Sequence, residues 1–378
     1  MTLRQRIRNP LLIGLAAALT VAIALMWGVA VLPASSPSAT QRPTAQQSTA
    51  SGRVLGYALG DREVTVFDEA TGAVLHRIAT QDVPDILVTP TGDRLFLLDT
   101  KWSSDAKTPT HQLSLIDTTS WRVLAQATIA DRILYPGPGP SGLSLTPDGS
   151  RLFIYSYHVL GDDRADYWLA AVDAKSLQVL PMHAVLDQCG AARFATLEQQ
   201  IIALCAHAND LRFVDPATGN VSATVALPPV APLSVEGQVA GLTTTPDKRT
   251  VYIVTNDLRI VEVSATTRTQ VREVTTARQA PQSVPLDVIT MSADGRSLLV
   301  GMLLAPRSQA SGITLKEFAL PNVTLSASIP LPTYANVAGV AGGKVYLSDG
   351  TALHVFDLER QQTTVTVPLN GRAQRVVP

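Results

Sequence analysis

Short apolar runs separated by tight polar turns recur along this chain from about residue 53 onwards. The clearest example is the segment SGLSLTPDGSRLFIYSY at residues 141–157, where two apolar runs flank Thr146-Pro147-Asp148-Gly149. Proline fixes φ, aspartate hydrogen-bonds its own turn and glycine tolerates positive φ, so this tetrapeptide predicts a tight turn. The segment is therefore predicted to form a β-hairpin.

The same hairpin pattern returns at intervals of roughly 48 residues, which is typical of a radial or stacked repeat architecture. Further copies read DILVTPTGDRLFLL from Asp85, GLTTTPDKRTVYIV from Gly241 and DVITMSADGRSLLV from Asp287. Each repeat can be divided into four short strands, named a to d from the inside out, as in the meander of a propeller blade.

The third strand of a repeat, strand c, tends to end in aspartate. Five strands end in this way, at Asp68, Asp117, Asp173, Asp215 and Asp357. Two more c strands are predicted at Leu258–Val263 and Gly312–Phe318, which gives seven blades. We expect each aspartate to cap the turn that follows it, a structural role rather than a catalytic one.

The first blade has no inner strand of its own in sequence order, because Arg53–Leu59 follows directly on a polar segment. Residues 373–378, AQRVVP, are similar to the inner-strand pattern PDILVTP at residues 84–90. We therefore expect this late segment to pair into the first blade. Such closure removes the exposed sheet edges that would otherwise favour aggregation.

Composition supports one large folded domain. Hydrophobic residues make up 46% of the 378 residues and charged residues only 16%, a balance that permits a sizeable core and argues against disorder. The net charge is −1, and Lys and Arg are scattered. A nucleic-acid partner is not expected, because no repeat carries a basic stripe.

The first 52 residues differ from the rest. Residues 1–10 carry Arg4, Arg6 and Arg8, and residues 11–32 contain no charge. An apolar run of this length matches the roughly 30 Å hydrocarbon core and predicts a single-pass membrane helix with its N-terminus in the cytoplasm. The alternative is a cleaved signal peptide with Gly28-Val29-Ala30 at its cleavage site, which would leave the domain secreted.

Residues 33–52 are rich in Pro, Ser, Thr, Ala and Gln and are predicted to form a flexible linker. Residues 53–378 would then be an extracytoplasmic propeller. Cys189 and Cys205, the only two cysteines, lie on either side of the turn near Thr196. In an oxidising compartment they form a disulfide candidate between facing strands, with two buried free thiols as the alternative.

The hairpins of TPDG type and the D-x-x-T/S turns after strand c resemble the bacterial YVTN/WD40-like β-propeller repeat superfamily over residues 53–378. The resemblance extends to the propellers of quinoprotein amine dehydrogenase heavy chains. It implies an all-β, seven-bladed propeller. The nearest match to a Tyr-Val-Thr-Asn run is YIVTN at residues 252–256, and no Trp-Asp ending is repeated.

The two faces of such a disc should differ. The a–b and c–d turns are tight, whereas the b–c and d–a connections on the opposite face are long, and function tends to reside on long loops. Loops are expected at 101–110, 129–139, 158–166, 228–237, 276–284 and 303–311. The binding-face candidates are Trp102, Tyr135, Tyr157, His158, Asp162, Asp163, Asp166, Asn256 and Asp257.

Standard catalytic signatures are missing from the sequence: the six histidines show no metal-ligand spacing, and no GxSxG motif is present. We predict no cofactor, no metal and no catalytic residue. The expected function is a membrane-tethered module that binds or scaffolds an unknown protein or small molecule through its long-loop face. The alternative is an exported hydrolase- or dehydrogenase-like enzyme, or an electron-transfer-associated subunit, with a polar site at the channel mouth.

Overall fold

The computed structural model describes residues 53–377. Within this range it leaves out 83, 102–109, 130–141, 147, 162–163, 187–188, 190–191, 199, 206–207, 229–238, 256, 277–282, 293, 305–312, 333–335 and 374. The described residues form seven four-stranded antiparallel sheets. The fold is therefore an all-β, seven-bladed propeller, as the repeat predicts.

The strands follow one another around the ring, blade by blade. The first blade contains β1 (Leu55–Leu59), β2 (Glu63–Asp68) and β3 (Val74–Ala79). The second contains β4 (Asp85–Val88), β5 (Arg94–Lys101), β6 (Thr110–Asp117) and β7 (Val123–Ile129). The third contains β8 (Leu143–Leu145), β9 (Arg151–Gly161), β10 (Arg164–Asp173) and β11 (Val179–Val185). The fourth contains β12 (Ala192–Thr196), β13 (Ile201–Cys205), β14 (Asp210–Val214) and β15 (Val221–Ala226).

The remaining blades repeat this order. The fifth contains β16 (Val239–Thr244), β17 (Thr250–Thr255), β18 (Arg259–Ser264) and β19 (Thr269–Thr275). The sixth contains β20 (Ser283–Met291), β21 (Ser297–Leu304), β22 (Ile313–Ala319) and β23 (Thr324–Pro330). The seventh contains β24 (Asn336–Ala341), β25 (Lys344–Ser348), β26 (Ala352–Asp357) and β27 (Gln362–Pro368). The last strand, β28 (Arg375–Val377), returns to the first blade.

Tight turns of one type join strand a to strand b in several blades. In the third blade the amide of Gly149 donates to the Thr146 carbonyl at 2.8 Å. The Thr146 hydroxyl donates to Asp148 at 2.5 Å and accepts from the Arg151 amide at 3.0 Å. Thr245 and Ser292 make the same bonds in the fifth and sixth blades. The repeated Thr or Ser thus closes the turn with its side chain.

The aspartates at the ends of strand c cap the c–d turns, and the predicted structural role is confirmed. Asp68 Oδ1 accepts the amides of Ala70 and Thr71, both at 2.9 Å. Equivalent bonds are made by Asp117, Asp173, Asp215 and Asp357. Side-chain acceptance of turn amides lowers the pKa of Asp117 and Asp173 below the ordinary value. These carboxylates are therefore occupied by their own turns.

The residue four positions after the cap aspartate, or after the equivalent Ser264 and Ala319 of the fifth and sixth blades, has positive φ in every blade. It is glycine in the first and fourth blades, with φ of 72° at Gly72 and 74° at Gly219. In the other five it is a non-glycine residue, with φ between 51° and 58°: Trp121, Leu177, Arg268, Val323 and Gln361. L-residues pay a steric cost in this region, so the c–d turns hold some backbone strain.

The hydrophobic core lies between neighbouring blades. One cluster joins Leu113 and Leu115 of the second blade to Leu152 and Ile154 of the third, all nearly inaccessible to solvent. Comparable clusters fill the other junctions. The two middle strands of a blade are buried on both faces and read as apolar runs, whereas the outer strands alternate between exposed and half-buried residues.

The ring is closed by β28, as expected from the similarity of residues 373–378 to an inner strand. It pairs antiparallel with β1, with Tyr57 opposite Val377 and Leu59 opposite Arg375. Arg375 also donates through Nη2 to Asp85 Oδ1 on the next inner strand, β4. The first blade is therefore completed by the latest strand of the chain.

Strand direction defines two faces. The a–b and c–d turns lie on one face, named here the tight-turn face, and the b–c and d–a connections lie on the other, the long-loop face. The chain enters β1 on the tight-turn face, where the Val54 carbonyl accepts the amide of Glu69 from the first c–d turn. β28 ends on the same face.

The predicted flank, membrane segment and linker at residues 1–52 lie outside the described residues. Among the residues that the structure does describe, no helix is long and apolar enough to span a bilayer. The membrane anchor and the alternative signal peptide therefore stay predictions from sequence.

Candidate binding face

Most of the predicted binding-face residues belong to the parts of the long-loop face that are left out. Trp102, Tyr135, Asp162, Asp163 and Asn256 lie outside the described residues. For Tyr157, His158 and Asp166 the structure gives strand positions, and for Asp257 it gives the contacts as well.

The connection predicted as a loop at residues 158–166 is instead a long hairpin, and this part of the prediction is wrong. β9 and β10 pair as far as Gly161 and Arg164, with His158 opposite Asp166 and Tyr157 opposite Tyr167. Among the described residues, the ladder of the inner strand β8 with β9 reaches Ile154, and that of the outer strand β11 with β10 reaches Trp168. The polar composition suggested a loop, but cross-strand pairing continues beyond the four-stranded sheet.

Asp257 is part of a structural turn on the long-loop face. It accepts the Thr255 hydroxyl at 2.5 Å and pairs with Arg259 Nε at 3.0 Å, and Arg259 also bonds Glu273 at 2.9 Å. Burial opposes ionisation of Asp257, but the hydrogen bonds from Thr255 and Arg259 prevail and lower its pKa. Its carboxylate supports the b–c turn.

The fourth blade contains the same tetrapeptide, Asn-Asp-Leu-Arg, at a different place relative to its turn, with Asp210 already in β14. The tetrapeptide occurs at 209–212 and again at 256–259. Asp210 and Arg212 pair at 3.0 Å, with only 14% and 13% of their side chains exposed. In both blades the aspartate pairs with the arginine two residues later, so the contacts of Asp257 are structural.

A cleft of about 330 Å³ opens on the long-loop face where the first blade meets the connection from the seventh. Its lining comprises Ala58, residues 60–63, Thr65, residues 369–371 and Ala373. Small residues leave the space open: Ala58 and Ala373 are almost fully buried, and neither side chain extends into the cleft opening beyond a methyl group. No motif in the sequence marks this cleft, because its two walls are about 300 residues apart.

Polar contacts organise the cleft around Glu63. Its carboxylate accepts the Thr65 hydroxyl at 2.7 Å, the Asn370 amide at 3.1 Å and the Arg77 guanidinium. Desolvation opposes ionisation of Glu63, but these bonds outweigh it and lower the pKa. The glutamate is thus held as a carboxylate, with 24% of its side chain exposed.

The d–a connection that forms the other wall is anchored to both blades. Arg77 Nη2 donates to the Pro368 carbonyl at 3.0 Å, and the Ala373 amide donates to the Ser348 hydroxyl at 3.1 Å. The exposed residues nearest the opening are Asp61, Arg62, Asn370 and Arg372. Fixed walls with exposed charges of both signs suit recognition of a polar group.

A disulfide joins Cys189 to Cys205. Cys205 lies opposite Ala192 in the β12–β13 ladder, so Cys189 precedes the hairpin rather than facing Cys205 across it. Both sulfurs are buried among Phe153, Leu169 and other apolar side chains. The bond fixes the connection that enters the fourth blade on the long-loop face.

A buried histidine lies on the same face at the base of the 101–110 connection. His111 is fully buried and contacts the Thr100 hydroxyl through Nδ1 at 3.1 Å. Burial lowers its pKa to about 4, so the imidazole is neutral at physiological pH. Nearby, burial and the charge of Asp82 raise the pKa of Asp99, although its carboxylate accepts the Gln81 amide at 2.9 Å.

One hydroxyl–imidazole–carboxylate series occurs in the seventh blade. His354 Nε2 lies 2.8 Å from Asp349 Oδ2, and its Nδ1 lies 3.3 Å from the Thr366 hydroxyl. Asp349 Oδ1 meanwhile accepts the amides of Thr351 and Ala352 at 2.8 and 2.7 Å. Because none of these residues lines the cleft, the series supports a turn rather than an active site.

Metal binding finds no support in the residues that the structure describes, since they contain no group of three or more His, Cys, Asp or Glu suited to hold an ion.

Comparison with known proteins defines the class through structure rather than sequence. No protein-family model matches the chain, and no curated protein sequence matches it. The β-propeller domain of Cps50 (Swd1) from Myceliophteria thermophila is similar at 15% identity and a TM-score of 0.53, over 78% of this chain and 90% of that one. Hydrazine synthase from Kuenenia stuttgartiensis is similar at 14% identity and a TM-score of 0.53, over 75% and 85%.

At this level of identity the likeness shows the fold alone. It agrees with the seven sheets in showing that the chain folds as a β-propeller.

Proposed function

We propose that this protein is a membrane-tethered, extracytoplasmic propeller that binds or scaffolds a partner through its long-loop face. A propeller is suited to such a role because a rigid ring presents variable loops on one side. The N-terminal helix and linker predicted from residues 11–52 provide the tether.

The observation that carries the proposal is the difference between the two faces. On the tight-turn face, side chains and amides of the turns satisfy one another, as for Asp148 and Asp173. On the long-loop face, the cleft beside Glu63 and the projecting β9–β10 hairpin offer shape and polar groups to a ligand. A partner thus has more to recognise on the long-loop face.

The position of the chain entry supports the same arrangement. Residue 53 joins the ring on the tight-turn face, so a tether attached there leaves the long-loop face open on the other side. A flexible linker of 20 residues would reach roughly 25 Å, which permits approach of a partner to the disc.

The test is photo-crosslinking in the intact, full-length protein in its native membrane. A crosslinking amino acid replaces Arg62, which is exposed at the cleft, or Arg360, which is exposed in a c–d turn on the opposite face. We expect a defined crosslinked species from position 62 and none from position 360. Both sites are exposed arginines in tight turns, so Arg360 is a matched control.

Two further measurements complete the test. Arg62→Glu should abolish the crosslink formed from a second long-loop position at Asn370, whereas Arg360→Glu should leave it unchanged. Equal crosslinking from both faces, or none from either long-loop position, would contradict a role for this face. Protein recovered entirely in the soluble fraction after cell breakage would contradict the tether.

A further inference from the structure

The outer strands carry a recurrent set of exposed aliphatic side chains. Seven of them are 38–55% exposed and are named here the rim aliphatics: Leu75, Val123, Leu124, Val179, Val221, Val271 and Leu325. Each lies within the first three residues of its outer strand, directly after a c–d turn. They therefore form a broken ring around the edge of the tight-turn face, with a contribution from six of the seven blades.

The recurrence distinguishes this ring from scattered surface residues. Single exposed aliphatics are normal on soluble proteins, but here one of the first three residues of the outer strand is an exposed aliphatic in six of the seven blades. The exception is the seventh blade, whose outer strand begins Gln362-Thr363-Thr364. The seventh blade forms its four-stranded sheet without an exposed aliphatic side chain, so folding of a blade does not require one at this place.

The turns next to the rim aliphatics carry few free charges. Their central residues are Glu-Ala-Thr at 69–71, Thr-Thr-Ser at 118–120, Ala-Lys-Ser at 174–176, Pro-Ala-Thr at 216–218, Ala-Thr-Thr at 265–267 and Leu-Pro-Asn at 320–322. The one acidic residue among them, Glu69, is buried and bonded to Lys344 Nζ at 2.9 Å and to the Tyr346 hydroxyl at 2.6 Å. The seventh blade, without a rim aliphatic, instead has Leu-Glu-Arg at 358–360.

The chain reaches the ring from this same face. Residue 53 lies beside the first c–d turn, and the 52 residues before it comprise a linker and a 22-residue uncharged apolar segment in the sequence. A flexible tether of this length allows the tight-turn face to reach the surface into which the predicted apolar segment would insert.

We infer that the tight-turn face rests on the lipid bilayer and that the rim aliphatics insert into its interfacial layer. This inference rests on the membrane tether of the proposed function. Apolar side chains of peripheral proteins bury about 5–10 Å into the boundary between headgroups and acyl chains, a depth that residues one to three positions from a turn can reach. The long-loop face then points away from the membrane.

The test uses the full-length protein reconstituted in phosphatidylcholine vesicles. Leu124→Cys and, as a control, Thr128→Cys are labelled with an environment-sensitive fluorophore, and lipids with spin-labelled acyl chains serve as quencher. Both native cysteines are joined in a buried disulfide, so the introduced thiol is the one that reacts. Thr128 is an exposed residue on the same side of β7, about 13 Å towards the long-loop face.

We expect a blue-shifted emission and strong quenching for the label at position 124, and neither for the label at position 128. Equal quenching at both positions, or at neither, in protein that floats with the vesicles would overturn the docked orientation while leaving the tether intact. Protein that does not float would show that the tether itself fails.

A protein partner is the competing occupant of the ring. A blue-shifted emission of the label at position 124 that persists in detergent, together with a dimer in size-exclusion chromatography, would overturn the lipid contact. It would assign the ring to a second copy of the chain. As a further check, Val123→Ser/Leu124→Ser should abolish quenching of a label at position 75 on the neighbouring blade. The matched variant Gln126→Ser/Thr128→Ser should leave that quenching unchanged.

Discussion

Arg375 and Asp85 form an ion pair that joins the latest inner strand of the chain to an inner strand 290 residues earlier. The Asp85 side chain is 1% exposed and that of Arg375 is 22% exposed. Asp85 also accepts the amide of Gly142, the residue before β8, at 2.5 Å, so one carboxylate links the inner strands of the first two blades to the start of the third. The pair stabilises the ring at the place where the chain is not continuous.

Removal of the arginine should therefore be costly. Arg375→Met leaves a buried carboxylate without its cation, which we expect to lower the free energy of unfolding by about 3 kcal/mol. The measurement is chemical denaturation of the wild type and the variant. The double variant Asp85→Asn/Arg375→Met should lose less free energy of unfolding than Arg375→Met alone, because no uncompensated buried charge remains. Arg94→Met is the control, since the Arg94–Asp93 pair is 3.7 Å long and 46% and 57% exposed; a loss of equal size there would contradict the prediction.

The disulfide should contribute to stability at the long-loop face. Cys189 and Cys205 close a loop of 16 residues, for which chain-entropy estimates give about 3 kcal/mol. Cys189→Ala/Cys205→Ala should lower the unfolding midpoint by a corresponding amount, and reducing agent should shift the wild type but not the variant. A non-reducing peptide map with two free thiols in native protein would contradict the bond.

Two substitutions at equivalent turn positions should act in opposite directions. Gln361 is exposed at φ 51°, so Gln361→Gly relieves strain and should raise the free energy of unfolding by roughly 0.5–1 kcal/mol. Gly72 has φ 72°, and a Cβ there would lie 2.5 Å from Val365 Cγ1. Gly72→Ala should therefore lower the free energy of unfolding by about 1–2 kcal/mol. Thermal unfolding of both variants checks the signs, and two shifts in the same direction would contradict the assignment.

His111 should make the domain sensitive to mild acid. Its pKa falls from 6.5 to about 4 because of burial, so the unfolded chain binds a proton more readily than the folded one. The neutral imidazole contributes its full share of the unfolding free energy above pH 6.5, and this contribution is lost as pH falls towards 4. The largest loss expected from this pKa shift is about 3 kcal/mol. His111→Gln should flatten the dependence of unfolding free energy on pH between 6.5 and 4. An unchanged slope in His111→Gln would refute the prediction.

Local turn chemistry made the blades predictable from sequence. Thr146 and Asp173 act on residues within five positions of themselves, so a short motif contains all the partners that it needs. Residues 375–377 could likewise be predicted as an inner strand, because their sequence is similar to that of the inner strand at residues 85–88. Motifs of this kind recur once a blade and fix its register.

Contacts between distant segments could not be predicted in the same way. The Arg375–Asp85 pair and the cleft between Ala58 and Ala373 depend on which blades become neighbours, and no local pattern records that. The length of the β9–β10 hairpin was missed because its polar composition is typical of a loop, and backbone pairing does not require apolar side chains. The position of Cys189 outside the hairpin followed from a shorter β12 than the spacing suggested.

The closing strand also has a consequence for biosynthesis. Blade one cannot be completed until residue 377 has been synthesised and, if the domain is exported, translocated. Until then the inner edge of β1 presents unpaired amides and carbonyls, and Tyr57 and Leu59 lack part of their cover. Completion of the ring is thus a late event, and the nascent chain needs protection from misassembly up to that moment.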